Sequence, residues 1–111
     1  MTSFADRLRI LPEFRTHEQD KLVGILFGRL EQRLAHWHPE QVELELGVKE
    51  RGTRQQRTVL ECSIAGRPKL VATSTEQDID RAAVEVRDEL WQQIDRLVTK
   101  QSVQKQSAHK H

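Results

Sequence analysis

The sequence predicts an α+β fold, a β-α-β-β-β-α two-layer sandwich with both helices on one face of a four-stranded sheet. Three observations predict it. Val42, Leu44, Leu46 and Val48 alternate with Glu43, Glu45 and Gly47, the period-two pattern of a half-buried strand. Leu60, Cys62 and Ile64 repeat that alternation up to the turn Ala65-Gly66-Arg67-Pro68. Before and after these strands, apolar residues recur at helical spacing.

Taken in order, Ser3 to Leu11 reads as an edge strand ending at Pro12, with Phe4, Leu8, Ile10 and Leu11 as its apolar points. Thr16 then reads as the N-cap of a first helix, with Glu18 in its first turn. Leu22, Val23, Leu26, Phe27, Leu30 and Leu34 cover one face of that helix, while Gly24 and Gly28 share the far side. Each glycine weakens the helix by about 1 kcal/mol relative to alanine. The helix must stop before Pro39. Lys49 to Arg57, with Arg51, Gly52 and Arg54, reads as a charged loop or hairpin tip.

A strand from Lys69 to Ser74 returns at once from the Gly-Pro turn, which makes an antiparallel hairpin. Ser74 or Thr75 is expected to cap a second helix over 76–100, with Ile79, Ala82, Ala83, Val86, Leu90, Ile94 and Leu97 as its core stripe. Val84, Trp91 and Val98 form a flanking stripe, read either as packing on the first helix or as an oligomer contact. Glu43, Glu45, Glu61 and Ser63 alternate outward, so one sheet face is expected to be wet and the other covered by both helices. The expected organisation is one domain over 1–100 and a disordered polar tail over 101–111.

Composition narrows the function classes. With 111 residues the chain fits one domain, and 32% charged residues against 36% apolar ones is the balance of a soluble globular protein. No apolar run is long enough to span a bilayer, and the N-terminus lacks the pattern of a secretory signal. The single cysteine, Cys62, cannot form an internal disulfide, so a reducing cytoplasm is the simplest compartment. Net charge is only +1, so a nucleic-acid role requires the cations to gather on one surface.

Nothing argues for an enzyme. There is no glycine-rich phosphate loop, no nucleophile elbow and no paired carboxylates, and neither a cofactor nor a metal is expected. His36 and His38 flank Trp37, but no third ligand stands at a recognisable interval, and histidines at a helix end are favourable toward its dipole. Cys62 falls on the inward side of its strand and reads as an inert thiol. What remains is the basic residues. Lys21, Arg29 and Arg33 lie on the first helix, and Arg81, Arg87, Arg96 and Lys100 on the second. These are the candidate RNA contacts, with Arg51, Arg54 and Arg57 added by the loop. Guanidinium groups on fixed helices match phosphate oxygens in a forked geometry. RNA of fixed shape is recognisable through phosphate and sugar contacts alone. The alternative is an ordinary solvated face, because Glu31, Glu85, Asp88, Glu89 and Asp95 sit among these bases.

Two stretches carry a resemblance. One is Gly28-Arg-Leu-Glu-Gln32 followed by Gln41-Val-Glu-Leu-Glu-Leu-Gly-Val-Lys49. The other runs from Thr58 through Ala72-Thr-Ser-Thr-Glu-Gln-Asp-Ile79 into Asp88-Glu-Leu-Trp-Gln-Gln-Ile94. Together, over roughly residues 13–100, they resemble the ribosome hibernation promoting factor family, which includes ribosome-associated inhibitor A. The resemblance implies the same β-α-β-β-β-α fold, no enzymatic activity, and the short form of the family. It implies binding to the small ribosomal subunit and its rRNA in the mRNA and tRNA channel, with translation blocked and ribosomes put into hibernation under stress. A membrane is not among the implied partners. Arg29 and Arg96 match basic positions of the family. The family's Asp-Lys-Leu-x-Arg-Gln pattern is Asp88-Glu89-Leu90-Trp91-Gln92-Gln93 here, and an aromatic position near the helix start is Asp80. These departures predict a less basic RNA-facing side. They motivate an alternative, a diverged member serving as a protein-interaction module or weak homodimer without ribosome binding.

Overall fold

In chain order the elements are β1 (Leu8–Ile10), α1 (Thr16–Leu34), β2 (Val42–Lys49), β3 (Arg57–Ile64), β4 (Leu70–Ser74) and α2 (Ile79–Lys110), with short 3₁₀ turns at Ala5–Arg7 and Pro39–Gln41. The structure, a computed structural model, describes residues 3–110, and side chains over 3–99. The strands form one sheet in the order β1-β2-β3-β4, which is the expected α+β sandwich. β1 pairs parallel to β2, with Leu8 opposite Leu44 and Ile10 opposite Leu46. β2–β3 and β3–β4 are antiparallel hairpins. β4 therefore runs in the same direction as β1, and the helices that follow these two strands both begin at one end of the sheet.

Alternation decides the layers. Val42, Leu44, Leu46, Val48, Leu60, Cys62, Ile64 and Ala72 are buried on the inner face. They meet Leu22, Leu26, Leu30 and Leu34 of α1 and Ala83, Val86, Leu90 and Ile94 of α2. Each fully buried leucine, isoleucine or valine contributes roughly 1.5–3 kcal/mol. Glu43 stays exposed and Glu45, Glu61 and Ser63 half-buried, which leaves the second face of the sheet uncovered, as the alternation predicts. Phe14 is 2% exposed and joins the core although it belongs to no periodic pattern.

Several boundaries differ from those expected. β1 is only three residues long, because the chain before it is turned back on itself. The Asp6 carboxylate accepts the Ser3 N–H at 3.0 Å, and Arg7 Nε donates to the Val42 carbonyl at 3.0 Å, closing part of the β2 edge that a longer β1 would have covered. Arg15, not Thr16, stands at the N-cap of α1, where the Glu18 carboxylate accepts its N–H at 2.9 Å. Helix α2 starts at Ile79, after Asp78, whose carboxylate accepts the Asp80 N–H at 3.1 Å. Ser74, an expected cap, is buried at the end of β4, where its hydroxyl donates to Glu85 at 2.7 Å and accepts from the Glu76 N–H at 3.1 Å. The α2 backbone continues to Lys110, beyond the expected end at Lys100. The expectation of a disordered tail over 101–111 falls on residues whose side chains lie outside the described set.

The departure at Glu89 changes meaning. β4 is an edge strand, whose outward N–H and C=O groups invite further pairing. Glu89 accepts the Thr73 N–H at 3.3 Å, and Gln93 donates to the Val71 carbonyl at 2.9 Å. With Glu85 on Ser74, residues 85, 89 and 93 lie one helical turn apart and run along the β4 edge. Glu89 therefore guards the edge of the sheet. The flanking stripe divides as well. Trp91 and Val98 are half-buried against the core, and only Val84, 37% exposed, faces solvent. Among the described residues no helix is long and apolar enough to cross a membrane.

Candidate nucleic-acid interface

The two helices run parallel, so partners rise together along both. Lys21 Nζ lies 2.5 Å from an Asp80 oxygen, Arg29 3.4 Å from Asp88, and Arg33 3.1 Å from Asp95. The bases of α1 thus face acids of α2 in a seam on the outer side of the helix layer. Trp91 lies within it, and the guanidinium carbons of Arg29 and Arg33 each sit 4.7 Å from its ring centroid. Such stacking contributes roughly 0.5–1 kcal/mol at an exposed site. It holds both guanidiniums in fixed planes, a preorganisation that flexible arginines lack. The hydrogen bond to Asp80 raises the Lys21 pKa further.

The other expected contacts are placed differently. Arg87 is half-buried, donates to the Ile25 carbonyl of α1 at 3.3 Å and pairs with Asp88 at 2.9 Å, so it ties the helices together. Arg81 lies 4.0 Å from Asp78. Arg96 is exposed with no ion-pair partner among the described residues. The Lys100 side chain lies outside the described residues. Gly24 and Gly28 leave open space beside α1, since a Cβ at either would meet nothing within 4 Å.

The structure therefore gathers Lys21, Arg29 and Arg33 on one line but supplies each with a carboxylate. Sequence reasoning set Asp88 and Asp95 among the bases and read Trp91 as packing on the first helix, but did not pair each base with its acid or stack Arg29 and Arg33 on Trp91. The Arg29–Asp88 and Arg33–Asp95 pairs are partly solvent-exposed, so each contributes no more than about 1 kcal/mol, and the Lys21–Asp80 pair is the most exposed of the three. A phosphate oxygen can replace a carboxylate oxygen at a guanidinium without loss of geometry, so the seam is able to exchange internal anions for those of a polyanion.

Elsewhere the chemistry is quiet. Burial pushes the Cys62 thiol up to about 12, so the thiolate that a nucleophile requires is not populated near neutral pH. His36 and His38 are exposed beyond the end of α1, with the His36 ring edge-on to Trp37 at 6.0 Å.

The β2–β3 hairpin tip is held from two sides. Arg51 donates to Glu18 at 2.7 Å and to the Glu13 carbonyl at 2.7 Å, and lies 5.7 Å from the Phe14 ring centroid. That guanidinium bond, and then the Arg15 N–H, pull the Glu18 carboxyl from 4.5 down to about 2. A carboxyl depressed in the folded state adds stability that is complete above its unfolded value near 4.5 and is lost as pH falls through about 2. Replacing Glu18→Ala is expected to cost about 1 kcal/mol at neutral pH. In thermal denaturation the gap from the parent should close steadily below pH 4.5.

No family model matches this chain, and no curated protein matches it.

Proposed function

We propose that this protein is a cytoplasmic, ribosome-associated translation inhibitor that binds the rRNA of the small subunit in the mRNA and tRNA channel and promotes hibernation under stress. The observation that carries the reading is the seam, with Arg29 and Arg33 fixed over Trp91 beside Lys21 on one side of the domain. The β-α-β-β-β-α order and the motif resemblance over roughly residues 13–100 support the same reading. On this reading the carboxylates of Asp80, Asp88 and Asp95 give way to RNA phosphates, and the bound domain fills space that mRNA and tRNA need. Contacts to phosphate and sugar on a rigid RNA surface suffice, so no base need be read. No catalytic step is involved.

The test is sedimentation of the purified protein with small subunits across a salt series. Co-sedimentation should weaken steeply as salt rises, since each phosphate neutralised steepens the log–log slope by about 0.9. Arg29→Glu with Arg33→Glu should abolish it at moderate salt. Absence of co-sedimentation even at low salt would refute the reading.

A further inference from the structure

Lys49 and Arg57 are direct cross-strand partners at the end of the β2–β3 ladder, and the buried neighbours Val48 and Thr58 place both side chains on the open face of the sheet. Like charges in that position repel. The outer face holds a second like-charged pair, Glu45 opposite Glu61, but there each acid has a base, Arg9 at 4.0 Å and Lys69 at 3.5 Å. Lys49 and Arg57 have none. No carboxylate of the described residues lies within 4.0 Å of either, nor of Arg54 in the tip itself. Glu50 is the one acid within the tip segment between Lys49 and Arg57, and Glu13, Glu45 and Glu61 border the same side of the sheet around Lys49.

The tip is also rigid. Its Glu50 and Gly52 take positive φ, 52° and 85°. Gln56, 3% exposed, accepts from the Gly52 N–H and donates to the carbonyls of Glu76 and Gln77. Arg51 turns inward onto Glu18. A stiff projection with three exposed, unneutralised cations binds an anion with little ordering cost.

We propose that the hairpin tip is a second binding site for the phosphate backbone of RNA, with Lys49, Arg54 and Arg57 as its contacts. It is separate from the seam between the helices, and it rests on the proposed function only for the choice of RNA as the polyanion. The charge repulsion between Lys49 and Arg57 is then a cost borne in the free protein and relieved when a phosphate sits between them.

Lys49→Glu tests this, because it reverses a charge at an exposed position and so moves binding with little change in stability. The glutamate would face Arg57 but stand beside Glu13, Glu45 and Glu61, so the melting temperature should stay within about 3 °C of the parent's. Affinity for a labelled A-form RNA hairpin, and for small subunits, should fall at least roughly five-fold, with the salt slope reduced by about 1. Loss of RNA-hairpin binding in a protein that never binds small subunits would uphold the tip as a site and refute the ribosome reading. Small-subunit and RNA-hairpin binding equal to the parent's would overturn the tip and leave the seam standing. No binding of RNA by the parent protein at low salt would overturn both.

Discussion

Replacing Asp88→Asn and Asp95→Asn together is expected to tighten binding to small subunits by roughly ten-fold while leaving the fold intact. In the free protein these two carboxylates hold Arg29 at 3.4 Å and Arg33 at 3.1 Å, and Asp88 also holds Arg87 at 2.9 Å. An RNA phosphate reaching the seam must first displace them. Each exposed pair is worth about 0.2–1 kcal/mol, so two or three pairs account for about 1–2 kcal/mol of binding free energy withheld. The asparagines keep the shape of the acids, and Trp91 still supports both guanidiniums from 4.7 Å. The substitutions remove two negative charges and take the formal net charge from +1 to +3. The salt slope should steepen in step, because more cations become free to replace counterions on the RNA. The melting temperature should fall by a few degrees at most. Affinity unchanged or weakened at every salt concentration would mean that Arg29 and Arg33 do not touch the RNA.

The contrast between the seam and the fold explains what can be read in a sequence. The sheet was legible because alternation is a property of neighbours: Val42 to Val48 carry their register in the chain itself, and their pairing with Leu60 to Ile64 needs only a turn. The stripe Leu22, Leu26, Leu30 and Leu34 is local in the same sense, and all four are buried. Lys21, Arg29 and Arg33 could be placed on one flank of α1 by the same rule. Their partners could not, since Asp80, Asp88 and Asp95 lie about sixty residues away and reach them only because β1 and β4 run in the same direction. Glu89 illustrates the other failure. It stands on α2 among charged residues, and helical spacing cannot distinguish an outward acid from one that turns back to the Thr73 N–H. Phe14 and Gln56 follow no period at all. Their burial depends on where the hairpin tip folds down, which is decided by contacts between distant segments.

Gln56 is where the largest loss of stability is expected. Its side-chain oxygen accepts the Gly52 N–H at 2.9 Å, and its nitrogen donates to Glu76 at 3.1 Å and Gln77 at 2.9 Å. One side chain therefore satisfies the hairpin tip and the connection between β4 and α2 at once. Replacing Gln56→Leu leaves the volume nearly filled but removes every one of these bonds. A buried donor or acceptor left without a partner costs about 1–3 kcal/mol. The groups here lie near the surface and partly regain water, so the sum expected is roughly 2–4 kcal/mol, or a fall of roughly 10–20 °C in melting temperature. Urea denaturation should register the same loss as a lower midpoint with an unchanged slope. The variant also separates the two proposed RNA surfaces. The tip loses one of its two anchors, so the contacts of Lys49, Arg54 and Arg57 should weaken at temperatures where the domain is still folded. The seam is built from α1 and α2 alone and should keep its share of the affinity. A Gln56→Leu protein as stable as its parent would show that water replaces these bonds in full, and that Arg51 on Glu18 is sufficient to hold the tip.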